Sequence, residues 1–158
     1  MTTSLAREGE TGLLLTRDCT APPDALFRGL TEPELLKRWM AGGSGWALVK
    51  CAVEAKPEGA FHYVWRNAKA RKSLSMKGVF TAFERPTLLE ISQVVEDDEF
   101  LDEEWTTYRF EPLGSGTRLT MLLEYESSEE RDELAASGIE LRTDANLARL
   151  DAAVAGLG

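Results

Sequence analysis

The 158-residue chain carries 18 Lys and Arg against 27 Asp and Glu, a net charge of −9 at neutral pH, which suits one acidic domain and leaves little room for two. With 43% apolar and 28% charged residues, it has the composition of a chain that buries a core rather than the apolar-poor mix of disordered segments. Clustered Lys and Arg are scarce, so the acidic surface argues against nucleic acid and against anionic membrane as partners.

Residues 1–12 include Arg7, Glu8 and Glu10 with no apolar central stretch, so they read as a flexible tail lacking the pattern of a secretory signal. A cytoplasmic, reducing home is the expectation. Leu13 to Thr20 reads as a first strand, stopped by Pro22-Pro23, which preset a helix start. Leu26, Phe27 and Leu30 then fall at helical spacing, and Thr31-Glu32-Pro33-Glu34 opens a second short helix through Trp39. From Gly45 to Glu126 the apolar period becomes two, and turn residues divide the run into six strands. These are roughly Trp46–Ala55, Ala60–Arg66, Ser73–Phe83, Leu88–Val95, Trp105–Pro112 and Thr117–Tyr125, with ends open by about 2–4 residues. After Ser127-Ser128-Glu129-Glu130 the chain turns helical. Ile139, Thr143, Leu147, Leu150, Val154 and Leu157 share one stripe, and Gly138 predicts a kink or break.

This order predicts an α+β fold in which residues 13–158 form a single domain: a curved seven-stranded antiparallel sheet wrapped around a long C-terminal helix, with two short helices between the first and second strands. A helix about 10–12 Å wide cannot fill such a concavity, so an internal pocket is the geometric consequence.

Arg17, Ala21-Pro22, Leu26-Phe27, Leu30-Thr31-Glu32-Pro33-Glu34-Leu35 and Trp39 follow an opening pattern of arginine, Ala-Pro, an apolar pair, an acidic-proline turn and tryptophan. Later come Gly59 with Phe61, Gly78 with Phe80, Thr107-Tyr108-Arg109-Phe110-Glu111-Pro112 and Gly116-Thr117-Arg118-Leu119-Thr120. In this order, over about residues 13–155, the chain resembles the activator-of-Hsp90-ATPase-homologue-like family of the START-like, Bet v 1-like (SRPBCC) helix-grip superfamily. It departs where Glu58 replaces the first glycine of a usual Gly-Gly pair, and where Ser137-Gly138-Ile139 replaces the methionine and Gly-Trp near the last helix. The resemblance implies a helix-grip domain. For function it implies a binder of small hydrophobic molecules, a chaperone-cofactor-like interaction domain or, as in some superfamily members, a cyclase- or hydrolase-like enzyme.

Phe61, Tyr63 and Trp65 leave one face of their strand together, either as core filling or as an aromatic wall with a hydroxyl and an indole N–H as polar handles. By parity Met76, Phe80, Tyr108, Phe110 and Met121 point toward the final helix, whose Ile139, Thr143 and Leu147 face them, while Trp39 closes one end. These twelve side chains are the candidate ligand cavity, and Thr106, Asn146 and Arg142 are additional polar candidates to reach it. No catalytic set emerges: the single His62 has the opposite parity, and Cys51, sharing a face with Ala47, Val49 and Val53, reads as an inert thiol. One histidine and two separated cysteines, Cys19 and Cys51, supply no metal-ligand spacing and read as small hydrophobes rather than a disulfide. The acidic run from Glu96 to Glu104 reads as a solvated turn, and Arg66, Lys69, Arg71 and Lys72 as an exposed hairpin tip or an electrostatic dock for an acidic partner. No cofactor is indicated. The partner expected is a small hydrophobic molecule, with a chaperone or other protein as the alternative, and the chain is monomer or homodimer.

Overall fold

The computed structural model describes residues 2–40, 45–97 and 101–157. In chain order the elements are β1 Ser4–Glu8, β2 Gly12–Cys19, α1 Pro23–Thr31, α2 Pro33–Trp39, β3 Trp46–Val53, β4 Ala60–Asn67, β5 Lys72–Glu84, β6 Leu88–Asp97, β7 Leu101–Leu113, β8 Gly116–Glu124, α3 Ser128–Ala136 and α4 Ile139–Val154. Every strand pairing is antiparallel, and the described strands form one sheet in the order β1-β2-β8-β7-β6-β5-β4-β3. The helix-grip expectation is met with eight strands rather than seven. The extra one, β1, occupies the segment expected as a flexible tail; it turns back at Gly9 (φ 62°) to pair Leu5 with Leu15.

Proline placement explains the two short helices. Glu32 precedes Pro33 and takes an extended conformation (φ −97°, ψ 127°), because the proline ring disfavours helical geometry in the preceding residue. The same proline sits in the first turn of α2, where its missing N–H costs nothing. The expected break in the terminal helix falls at Gly138, whose φ of 85° is left-handed, and Ser127 Oγ caps α3 by accepting from Glu130 N at 3.1 Å. Leu157 lies beyond α4 and is exposed, so the apolar stripe stops at Val154.

Two expectations are corrected. The pairing of β3 with β4 shifts between Leu48 and Lys50, so the face of Cys51 is shared with Leu48 and Val53, and Ala47 and Val49 are exposed. The acidic stretch is largely strand: β6 runs to Asp97 and β7 begins at Leu101, with only residues 98–100 outside the description.

The core has two parts. Phe27 and Leu30 of α1, Leu147, Leu150 and Val154 of α4, and Phe61, Phe80, Leu89, Phe110 and Leu119 of the sheet form the larger. Leu13, Leu15, Leu123 and Tyr125 form the smaller, against Ile139 and Leu134. Helix α4 packs on α1, α2 and β2. Its close approach to α1 requires Gly29, where a Cβ would meet Leu150 Cδ1 at 2.5 Å and Val154 Cγ1 at 2.7 Å. Asp151, buried on α4, accepts from Thr20 N and Ala21 N, both at 2.8 Å, and from Thr20 Oγ1 at 3.0 Å, fixing the helix to the β2–α1 corner. Two turns nearer the start of α4, Asp144 is held by Thr3 and by the buried guanidinium of Arg17. Among the described residues no helix is long and apolar enough to cross a membrane.

Candidate functional site

Strand register places the inward side chains in rows across the sheet. Tyr63 lies opposite both Cys51 and Met76, and Met76 lies opposite Val95. Tyr108 lies between Leu89 and Met121, and Met121 is also opposite Leu15. The aromatic column is stacked: Phe61 and Tyr63 have ring centroids 5.2 Å apart at 23°, and Tyr63 meets Trp65 edge-on at 6.3 Å.

The twelve expected cavity residues divide along the sheet. Phe61, Phe80, Phe110 and Leu147 are consumed in the core at the end covered by α1, where Phe27 lies 5.5 Å from Phe110 and Phe80 lies 5.3 Å from Phe61. Trp65, Met76, Tyr108 and Met121 pack against that core yet stay only half-buried, while Tyr63 and Thr143 are buried beside them. Ile139 joins the smaller cluster at the far end of α4. Trp39 gives its indole N–H to Gly29 O at 2.9 Å, and Arg149 of α4 donates to the Trp39 carbonyl at 3.3 Å, so Trp39 is held where two helices meet.

Several proposed polar handles are spent elsewhere. The Trp65 indole N–H donates to Met40 O at 2.6 Å. Arg142 donates to Ser137 O at 2.7 Å and to Ser137 Oγ at 3.1 Å, closing the end of α3, and Asn146 is exposed and accepts from Arg149. His62 lies on the opposite face with its Nε2 3.1 Å from Ser75 Oγ; burial and the nearby Lys50 and Lys77 depress its pKa. That convex face carries an open groove of about 500 Å³ past His62, Lys77, Val79, Ser92 and Glu103.

Thr106, like Tyr63 and Thr143, is buried on the inner face as expected; a further inward polar set, Gln93, Glu104 and Tyr125, was not among the sequence candidates. Gln93, buried on β6, lies opposite Glu104 on β7 and donates from Nε2 to its Oε1 at 2.5 Å. Trp105 pairs with Glu124, so the next residues outward, Glu104 and Tyr125, continue the same row. Burial pushes the Glu104 carboxyl above its ordinary range against the Gln93 hydrogen bond, and the charges of Asp102 and Glu130 push the same way. The hydroxyls of Tyr63, Tyr108 and Tyr125 are all raised, burial being the first cause in each. Gln93 Oε1 and the Tyr125 hydroxyl are buried without a hydrogen-bond partner. The signal for Glu104 was available in the period of two leading back from Tyr108 through Thr106, but the carboxylate run concealed it.

The thiols behave as small apolar groups. Cys19 is buried, which raises its pKa to about 11, and burial also raises that of the half-buried Cys51.

Residues 20–155 match the family described as Activator of Hsp90 ATPase homolog 1-like protein. Among solved structures, a Rhodobacter sphaeroides protein is similar at a TM-score of 0.83 and 28% identity, covering 98% of this chain and 99% of that one. A Nitrosomonas europaea protein is similar at 0.77 and 23%, covering 93% and 96%, and a Mycobacterium smegmatis protein at 0.80 and 18%, covering 99% and 98%. No curated protein matches this chain.

Proposed function

We propose, from the premise that this chain belongs to the Activator of Hsp90 ATPase homolog 1-like family, whose helix-grip relatives commonly bind hydrophobic ligands, that it binds a small, largely apolar molecule between the concave sheet and α4. The observation that supports this reading is the state of Met76, Tyr108 and Met121. They occupy the inner face, with fully buried Leu89 and Leu119 as strand neighbours, yet retain accessible surface. A close-packed interior would cover them, since cores leave few gaps larger than a water molecule. The guest would lie against Tyr63 and Trp65 and among the two methionines, whose unbranched thioethers adapt to irregular shapes.

Titration with the neutral dye Nile red tests this. The expected result is one saturable site with enhanced emission, lost in Met121→Trp, a variant that fills the space and keeps or raises the melting temperature. A dye that binds Met121→Trp as tightly as the parent, or a Met121→Trp protein strongly destabilised by overpacking, would remove the site from this location.

A further inference from the structure

From Gly78, which has no side chain, a row across the inner face runs through Gln93 and Glu104 to Tyr125, three side chains with polar ends. Its hydrogen-bond inventory is unbalanced. The Gln93 amide supplies two N–H donors and one of them serves Glu104, whose carboxylate offers four acceptor positions. Gln93 Oε1 is a further acceptor, buried and unpartnered, and so is the Tyr125 hydroxyl oxygen. The residue opposite Gln93 is Gly78, which brings no side chain to the row; a Cβ there would stand 2.1 Å from Ser92 O. Among the described residues the charges acting on Glu104 are the carboxylates of Asp102 and Glu130, with no cation. Buried polar groups are normally satisfied, and a carboxylate drawn partly out of water, as the half-buried Glu104 is, is normally given a positive partner. Here both deficits lie in one row, at one end of the proposed cavity, and a single group removes both: a cation carrying several N–H donors.

We infer that the apolar ligand bears a protonated primary amine, seated with its ammonium donating to the Glu104 carboxylate, to Gln93 Oε1 and to the Tyr125 hydroxyl oxygen. The inference rests on the cavity reading above. Three N–H donors on one nitrogen match three acceptors drawn from three different strand positions, whereas an alcohol supplies one donor and a carboxylate none. The charge-assisted contact to Glu104 supplies most of the discrimination, because hydrogen bonds between ions are roughly twice as strong as neutral ones.

Displacement of Nile red by octylamine, octan-1-ol and octanoate separates the two ideas, since the three probes share one apolar chain. Octylamine is expected to compete at least tenfold better than octanol, with octanoate weakest. In Glu104→Gln, which keeps the shape and the amide contact, octylamine should fall to the level of octanol while octanol is unchanged. Tyr125→Phe should weaken octylamine by about threefold and serves as a second variant if Glu104→Gln folds poorly. Any ranking in which the amine is not first, a parent preference that survives Glu104→Gln, or failure of all three probes while the dye still binds overturns the amine assignment and leaves the cavity reading standing. Failure of Nile red itself removes the cavity reading.

Discussion

At Glu104 the environment sets the sign of a pH effect. The carboxyl faces Gln93 from β6, Asp102 and Tyr108 from its own strand, Tyr125 from the end of β8 and Glu130 from α3. Only the amide hydrogen bond favours the ion; burial and the two neighbouring carboxylates oppose it, so the folded-state pKa lies above the unfolded value of 4.5. A raised carboxyl favours the fold below the unfolded pKa and loses that contribution as pH rises through the folded pKa. Glu104→Gln, always neutral, should therefore gain stability over the parent as pH is raised from about 4 to 7, with the two converging at the acidic end. Urea midpoints of the ligand-free proteins at several pH values provide the measurement. A constant gap across that range, or a variant less stable at neutral pH than at acidic pH relative to the parent, would show that Glu104 is not a strained ion.

Among the elements, those legible in the sequence were the ones whose own pattern carries the information. The six strands from β3 to β8 announce themselves through alternation, α1 through Leu26, Phe27 and Leu30, and the α3–α4 break through Gly138. β1 was hidden because Ser4–Glu8 contributes a single large apolar side chain, Leu5, and exists by pairing with β2 rather than by its own composition. The bulge in β3 was hidden for a related reason: a one-residue slip reverses parity without leaving a mark in composition. The aromatic side of the candidate cavity could be read from period two, but its polar row could not, because Glu104 stands in a run that composition assigns to solvent. The turn before β4 carries a further readable feature. Glu58 has φ 64°, in the left-handed region that glycine enters most easily. An L side chain there costs roughly 1–2 kcal/mol, against a glycine entropy cost of about 0.5–1 kcal/mol. Glu58→Gly should thus raise stability by about 0.5–1 kcal/mol. Gly59→Ala in the same turn should instead be strongly destabilising, since a Cβ would stand 2.0 Å from Glu54 O. Equal or lower stability of Glu58→Gly in urea denaturation would mean that the turn is already relaxed.

For the whole molecule, the proposed cavity requires α4 to stay over the sheet without filling the space beneath it. A helix that made its attachments through apolar contacts along its full length would close the interior; this one concentrates its apolar contacts at Leu147, Leu150 and Val154 and uses polar anchors for position. Asp144 ties its first half to the residue before β1 and to β2 through Thr3 and Arg17, which hold its carboxyl below the ordinary range. That contribution is present above the unfolded carboxylate pKa and is lost as pH falls through the depressed value. Asp151 does the corresponding work at the β2–α1 corner, where three donors converge on one buried carboxylate. Asp151→Ala would leave the N–H of Ala21, a residue 3% exposed, without an acceptor, whereas exposed Thr20 would turn to water. Hydrogen bonds to charged groups contribute about 1.5–3 kcal/mol each, so with partial replacement by water the loss should be roughly 3 kcal/mol. For a chain of this size that corresponds to a melting temperature lower by about 6–12 °C, read by calorimetry. Because the anchor lies at the filled end, Nile red affinity per folded molecule should stay within about twofold of the parent, as independent, distant sites are nearly additive. A large fall in affinity with little change in melting temperature would mean that Asp151 shapes the cavity rather than merely holding the helix above it.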